Sequence, residues 1–316
     1  MSAQPVDFLR IFNAIDFEKI KDHPNILIAA NFWDEERYAA AKTCYKLMRF
    51  VDDLVDNYKT DHDVITNNEK KQLTTDVNNW INSIVNHTNN NPRQKVIMET
   101  FDKLMIPIWT MKVFAKSMIY DIFHDGFQSL QAFLDYAQGA SIAPASIFVH
   151  LCGIRNVNGQ YEAPAFNVRE AATPCAIFSY LVHIIRDFQK DQFNHLNYFA
   201  DDIVEKNGLD RKKLSEMAHG AKIEDGFRNL IKEYYLVADE YRLKTEEMIQ
   251  RIKPFLEQRY QLSLEIIFTL YLMVFERIDF KHGNFTAEEL NPTPEEVRSR
   301  VYETIKGFIA TNQVMR

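Results

Sequence analysis

The sequence predicts an all-α fold, and three observations predict it. Only 9 Gly and 10 Pro occur in 316 residues, too few turn formers for a many-stranded sandwich or barrel. Hydrophobic residues make up 46% and aromatics 13%, with 23 Phe and 14 Tyr, which supports a sizeable apolar core or pocket and argues against disorder. Apolar residues recur at three- and four-residue steps, as in Phe101, Leu104, Met105 and Ile108, or Leu230, Ile231, Tyr234 and Tyr235, the spacing of one helix face.

Taken in order, this pattern predicts helices near 34–57 and 66–86, after which the Asn-rich stretch Asn86–Pro92 reads as a surface loop. Helices follow near 92–105, 108–124 and 129–153, and Pro144 should kink the last of these and free a carbonyl. A second loop, Arg155–Pro164, is rich in Asn and ends in Pro; beyond it, helices are predicted near 167–193, 210–221, 224–252, 254–281 and 293–311. The longest apolar stretch, Leu262–Phe275, is interrupted by Glu265 and falls short of the roughly 18 to 20 apolar residues of a spanning helix. It reads as a helix buried in protein or lining a greasy cavity. No repeat and no shift of composition marks a boundary, so one domain over 1–316 is expected.

The formal net charge is -7 with both signs interspersed, unlike the basic footprint of a nucleic-acid binder. Cys44, Cys152 and Cys175 are widely separated, without metal spacing, and read as small buried side chains in a reducing compartment. The first residues lack a basic segment followed by an apolar run and a cleavage site, which makes a cytoplasmic location the default expectation.

Chemistry concentrates in two stretches. In "RFVDDLVDN", Arg49–Asn57, three carboxylates fall within five positions of an apolar helix. Residues four apart on a helix differ by roughly 40° in azimuth and about 6 Å along the axis, so Asp52 and Asp56 share a face with Arg49 beside them. "LVHIIRDFQKDQF", Leu181–Phe193, repeats the logic: His183, Asp187 and Asp191 step by four, and Arg186 adjoins Asp187. Such a pattern is also compatible with a solvated polar face, and His183 with a core histidine. Two carboxylate pairs among apolar residues on two helices, however, require compensation. Carboxylates without thiols or clustered histidines suit a hard ion such as Mg²⁺, which keeps several waters and bridges carboxylates to phosphates. No Gly-rich phosphate loop is present, so a phosphate or diphosphate would be held through metal, with Arg49 and Arg186 as charge partners. Aromatic walls around a metal-bound diphosphate suggest an allylic isoprenoid.

These residues resemble a known family. "RFVDDLVD" is similar to the first aspartate-rich motif of the squalene/phytoene synthases, and "HIIRDFQKD" to their second, usually written NIxRDxxED. "SMIYD", Ser117–Asp121, and "YLMVFERID", Tyr271–Asp279, resemble segments of the family's middle and C-terminal helices, so the similarity spans roughly residues 25 to 290. The resemblance implies an isoprenoid-synthase-type helical bundle around a central hydrophobic cavity, with the aspartate pairs facing across it. It implies head-to-head condensation of two prenyl diphosphates, most commonly farnesyl diphosphate, through a cyclopropyl intermediate to a C30 or C40 product. By position, Asp52, Asp56, Asp187 and Asp191 would bind Mg²⁺, Asp53 would support them, and Arg49 and Arg186 would hold diphosphate. Tyr45 would lie near the reacting centre, with His183 and Tyr271 against the substrate; ordinary core packing is the alternative for both tyrosines. The resemblance leaves NADPH use open, and a lipid product implies release at a membrane surface.

The chain departs from the family pattern at several places. His183 stands where the motif has Asn, and Lys190 where it has Glu. The basic "RRGR" after the second motif is "QFNHLNYF", Gln192–Phe199, and the small-residue stretch AGTVG reads as "GASIAPAS", Gly139–Ser146. Rival readings are a terpene cyclase, a head-to-tail elongator, whose second motif would carry a DD pair where Phe188 follows Asp187, and a non-catalytic relative serving as an assembly or lipid-binding factor.

Overall fold

The computed structural model describes residues 6–20, 24–61, 65–88, 91–194 and 196–314. Their architecture is helical: α1 (Phe8–Ala14), α2 (Pro24–Ala30), α3 (Glu35–Asp61), α4 (Asn67–Val85), α5 (Pro92–Lys103), α6 (Trp109–Phe123), α7 (Leu130–Ala137) and α8 (Ala143–Gly153). After a two-stranded hairpin come α9 (Val168–Arg186), α10 (Phe188–Phe193), α11 (Asp201–Lys206), α12 (Arg211–Ala218), α13 (Asp225–Ile252), α14 (Gln258–Phe275), α15 (Ala287–Leu290) and α16 (Pro294–Val314). No helix among the described residues is long and apolar enough to cross a membrane.

Local chemistry sets the ends. Thr66 and Glu69 form a reciprocal capping box at the start of α4, and Asn167 accepts from the backbone N–H groups of Arg169 and Glu170 to open α9. α9 packs along α13, α8 and α14, with Phe178 fully buried between the rings of Phe268 and Phe275. Each such burial contributes roughly 1.5–3 kcal/mol relative to an exposed ring. α1 is pinned to α16 by Phe8 lying edge-on to Phe308 at 5.9 Å.

Several elements differ from the sequence expectations. The Arg155–Pro164 loop contains a hairpin, β1 (Arg155–Val157) antiparallel to β2 (Gln160–Glu162), turned by Asn158 and Gly159 at φ 54° and 85°. Both residues sit in the left-handed region that a two-residue hairpin turn requires, and Asn-Gly adopts it readily. The predicted 129–153 helix is interrupted by a π-helical turn, Gln138–Ile142, in which the Ala143 N–H reaches back five residues to the Gln138 carbonyl. Pro144 has no N–H to continue the α ladder, and the wider turn accommodates it. The predicted 167–193 helix breaks at Asp187 into α9 and α10, and 254–281 narrows to α14. α1, α2, α11 and α15 were not expected. Asn89 and Asn90 of the Asn86–Pro92 loop, His195 of Gln192–Phe199 and the first five residues lie outside the described residues.

Candidate active site

A cavity of about 380 Å³ runs between α3, α6, α8, α9, α13 and α14. α3 turns Cys44, Leu47, Val51 and Val55 into the core, each at most 2% exposed. This fixes its rotation, and the adjoining face carries Tyr45, Met48, Arg49, Asp52 and Asp56 into the cavity. From the facing wall α9 contributes Ser179, Tyr180 and His183, and beyond its end Asp187 and Asp191. The four-residue step survives the break: the Asp187 N–H donates to the His183 carbonyl and the Asp191 N–H to the Asp187 carbonyl, both at 2.8 Å. Both aspartate pairs therefore line one cavity, acidic at this end and walled elsewhere by residues such as Phe114, Phe148, Ile184 and Leu264.

The electrostatics of the two walls mirror each other. Arg49 donates to Asp52 at 2.7 Å and, through its second terminal nitrogen, to Asp53. Even so, burial and repulsion from Asp56 push Asp52 up to about 7. On the other wall, Arg186 holds Asp187 through two parallel bonds of 2.8 and 2.7 Å. Burial would raise Asp187, but the bonds and charge of Arg186, with help from His183 and Lys190, keep it below the ordinary carboxylate value. Asp191 is pushed up to about 7 by burial and then by Asp187, only partly offset by Lys190 and Arg186, and Asp56 adds to the rise from across the cavity. Each wall thus keeps one carboxylate whose negative charge its own arginine does not balance.

Tyr271 lies in the cavity wall with its ring T-shaped to His183 at 5.3 Å. Asp53 and Arg186 do not line the cavity; they act on it through Arg49 and Asp187. Cys175 is in the wall, where burial pushes its thiol up to about 12 and keeps it protonated.

The structure adds a fifth carboxylate that was not singled out as a site residue. Asp121, at the end of α6, lines the cavity and accepts from the Tyr136 hydroxyl at 2.7 Å. Burial pushes the Tyr136 and Tyr180 hydroxyls well up, and the charge of Asp121 raises both further. Tyr198 joins them, sensing Asp121, Asp56 and Asp191. The π-helical turn positions this group: its Ser141 hydroxyl donates to the Ala176 carbonyl at 2.8 Å, and Gly139 lies so close to α6 that a Cβ would overlap the Val113 carbonyl and Ser117 hydroxyl.

Among the described residues no three acidic, imidazole or thiol groups converge tightly enough to cage an ion unaided. The donors present are nonetheless suited to Mg²⁺, which retains waters and needs only one or two carboxylates plus substrate phosphate. They are all oxygen, they face each other, and Asp52 and Asp191 are short of positive charge.

A model of the squalene/phytoene synthase family matches residues 21–297. Among solved structures, a dehydrosqualene synthase in complex with ligand superposes with a TM-score of 0.66, covering 96% of this chain and 98% of that one at 13% identity. Squalene synthase HpnC from Alicyclobacillus acidocaldarius superposes at 0.59, covering 82% and 95% at 12% identity. YisP from Bacillus subtilis subsp. subtilis strain 168 superposes at 0.60, covering 95% and 100% at 10% identity. At such identities the shared property is the isoprenoid-synthase fold. A search of curated proteins finds no match.

Proposed function

The chain belongs to the squalene/phytoene synthase family, and we propose that it joins two prenyl diphosphates head to head, in one domain, with farnesyl diphosphate as substrate and a C30 hydrocarbon or alcohol as product. One observation carries the reading: two aspartate pairs line opposite walls at the acidic end of an otherwise apolar cavity, each pair with a carboxylate raised to about 7. A non-catalytic relative would be relieved of that strain by neutral residues.

In this reading Asp52, Asp56, Asp187 and Asp191 hold Mg²⁺, which when bound supplies the positive charge that neutralises diphosphate as its C–O bond breaks. Arg49, which lines the cavity, orients Asp52 and presents its remaining N–H groups to diphosphate oxygens, while Arg186, outside the lining, holds Asp187 in place. The apolar walls exclude water from the allylic cation, and the rings of Tyr45 and Tyr271, which line the same cavity, supply π electrons near it. The alkene of the second prenyl chain attacks C1 of the first, and loss of a proton closes a cyclopropane. Asp53 steadies Arg49, while His183 fixes the ring of Tyr271 against the substrate.

The test is incubation with Mg²⁺ and labelled farnesyl or geranylgeranyl diphosphate, with and without NADPH, followed by mass analysis of extracted lipid. A C30 or C40 product is expected, its hydrogen and oxygen count naming the terminating step and any use of NADPH. Folded protein that consumes neither substrate would overturn the reading.

A further inference from the structure

A second space adjoins the cavity. α13 and α14 separate it from a groove of about 580 Å³ whose far side is α16. On α13, Met248 and Ile252 face the cavity while Glu246 and Gln250 face the groove, and Ile249 lines both. α14 is divided in the same way, with Ile267 toward the cavity and Phe268 toward the groove.

Ile249 lies at the end of the cavity remote from the aspartates. α9 and α13 run antiparallel: Phe188, just past Asp187, packs tilted against Phe227 near the start of α13 at 4.5 Å, whereas Glu170 at the start of α9 pairs with Arg251 near the end of α13 at 2.7 Å. From Glu170 to Asp187 the chain rises about 25 Å along the helix axis. A chain anchored by its diphosphate at the aspartates therefore points its distal end toward Ile249, which is 9% exposed. Behind it the groove offers Phe268 and Phe308, and a Cβ built on Gly307 meets nothing within 4 Å. The Lys253–Glu265 ion pair, 2.8 Å, closes one rim.

We propose that Ile249 is the partition that sets the length of prenyl chain the cavity accepts, and that the groove behind it can take the distal isoprene units of a longer chain. This rests on the reading of the protein as a prenyl diphosphate synthase. Shortening Ile249 removes the partition without touching the diphosphate end.

The experiment measures dissociation constants of unreactive C15 and C20 prenyl thiodiphosphates with Mg²⁺, and kcat/KM for the corresponding diphosphates. Ile249→Ala should shift the C20:C15 preference toward C20 by about tenfold or more, the discrimination a few methylenes give in an apolar pocket. Ile249→Val, a smaller change that protects against a folding defect, should shift it in the same direction by less. Gly307→Phe added to Ile249→Ala fills the groove from outside and should return the preference to the wild-type value. Preference moved by less than about twofold in Ile249→Ala, or unaffected by Gly307→Phe, would overturn the partition. Wild-type protein that binds neither length would overturn the prenyl diphosphate reading itself, before any variant is made.

Discussion

The start and the middle of α3 each carry an aspartate–arginine pair three residues apart, with opposite outcomes. At the N-terminal end Arg37 donates to Asp34 across three residues at 2.7 Å; farther along, Arg49 donates to Asp52 across three residues at 2.7 Å. Asp34 sits below its ordinary value because, against burial, it accepts from the Tyr260 hydroxyl at 2.5 Å and the Arg37 backbone N–H at 3.0 Å as well as from the guanidinium. Arg37 in turn donates to Tyr260 and to the Ile154 carbonyl at 2.6 Å and lies over the Tyr260 ring at 4.5 Å. Beyond Arg49, Asp52 faces Asp56 instead of further donors and rises to about 7. An arginine three residues away therefore does not determine whether a half-buried aspartate is structural or poised for a ligand. What the rest of its surroundings supply decides it: donors at Asp34, a second negative charge at Asp52.

The largest effect that can break this distinction is on turnover. Asp56→Asn and Asp187→Asn are each expected to lower it by about 10²- to 10³-fold, the scale on which single electrostatic groups act in catalysis. Far-UV circular dichroism should be unchanged, and wild-type turnover in both variants would sink the two-walled metal site. Next comes stability, where the two pairs should respond with opposite sign. Arg37→Ala strands Asp34 and Tyr260 in a buried setting and should destabilise by about 3–5 kcal/mol. Asp52→Asn relieves an unbalanced charge and should stabilise the metal-free protein by about 1 kcal/mol. Urea denaturation of both, without divalent ions, measures the pair of signs; destabilisation by Asp52→Asn would show that Arg49 already compensates it. Saturation with Mg²⁺ and inorganic diphosphate at about 100 times the dissociation constant should then stabilise wild type by about 2.7 kcal/mol. An Asp52→Asn/Asp191→Asn variant should show much less, and an equal thermal shift would place the ion elsewhere.

How much of this was legible depended on whether the signal was local. The aspartate pairs were readable because a four-residue step within an apolar helix is a statement about one face, and α3 and the α9–α10 segment bring Asp52, Asp56, Asp187 and Asp191 to one cavity. In the sequence Asp121 stands out only as the end of the family-like segment Ser117–Asp121. Its partner Tyr136 lies 15 residues away, across the connection between α6 and α7, and a lone carboxylate has no periodicity to announce it. Pro144 indicated a disturbed helix, but only tertiary packing of Gly139 on α6 turns that disturbance into a π-helical turn. Asn158-Gly159 was a hairpin signal in plain view. With three residues on each side, the strands were too short to show alternation, and the stretch read as a loop. The same limit hid α1, whose Phe8 and Phe12 make only one helical step between them.

The smallest expected effect concerns the compensated pair alone and separates charge from packing there. Asp34 has a folded value below the ordinary 3.8, so its ionisation stabilises the fold fully above that value, and the contribution is lost as pH falls through the folded value. Asp34→Asn keeps the shape of the side chain and removes the titration. The urea midpoint of wild type should exceed that of Asp34→Asn by a constant margin at pH 5 to 7, and the two should converge as pH falls below about 4. A margin that persists unchanged to pH 2 would mean that Asp34 works through its hydrogen-bonded shape and not its charge. Arg37 would then be held by Tyr260 and Ile154, and the two pairs on α3 would differ in the geometry of their acceptors more than in their balance of charge.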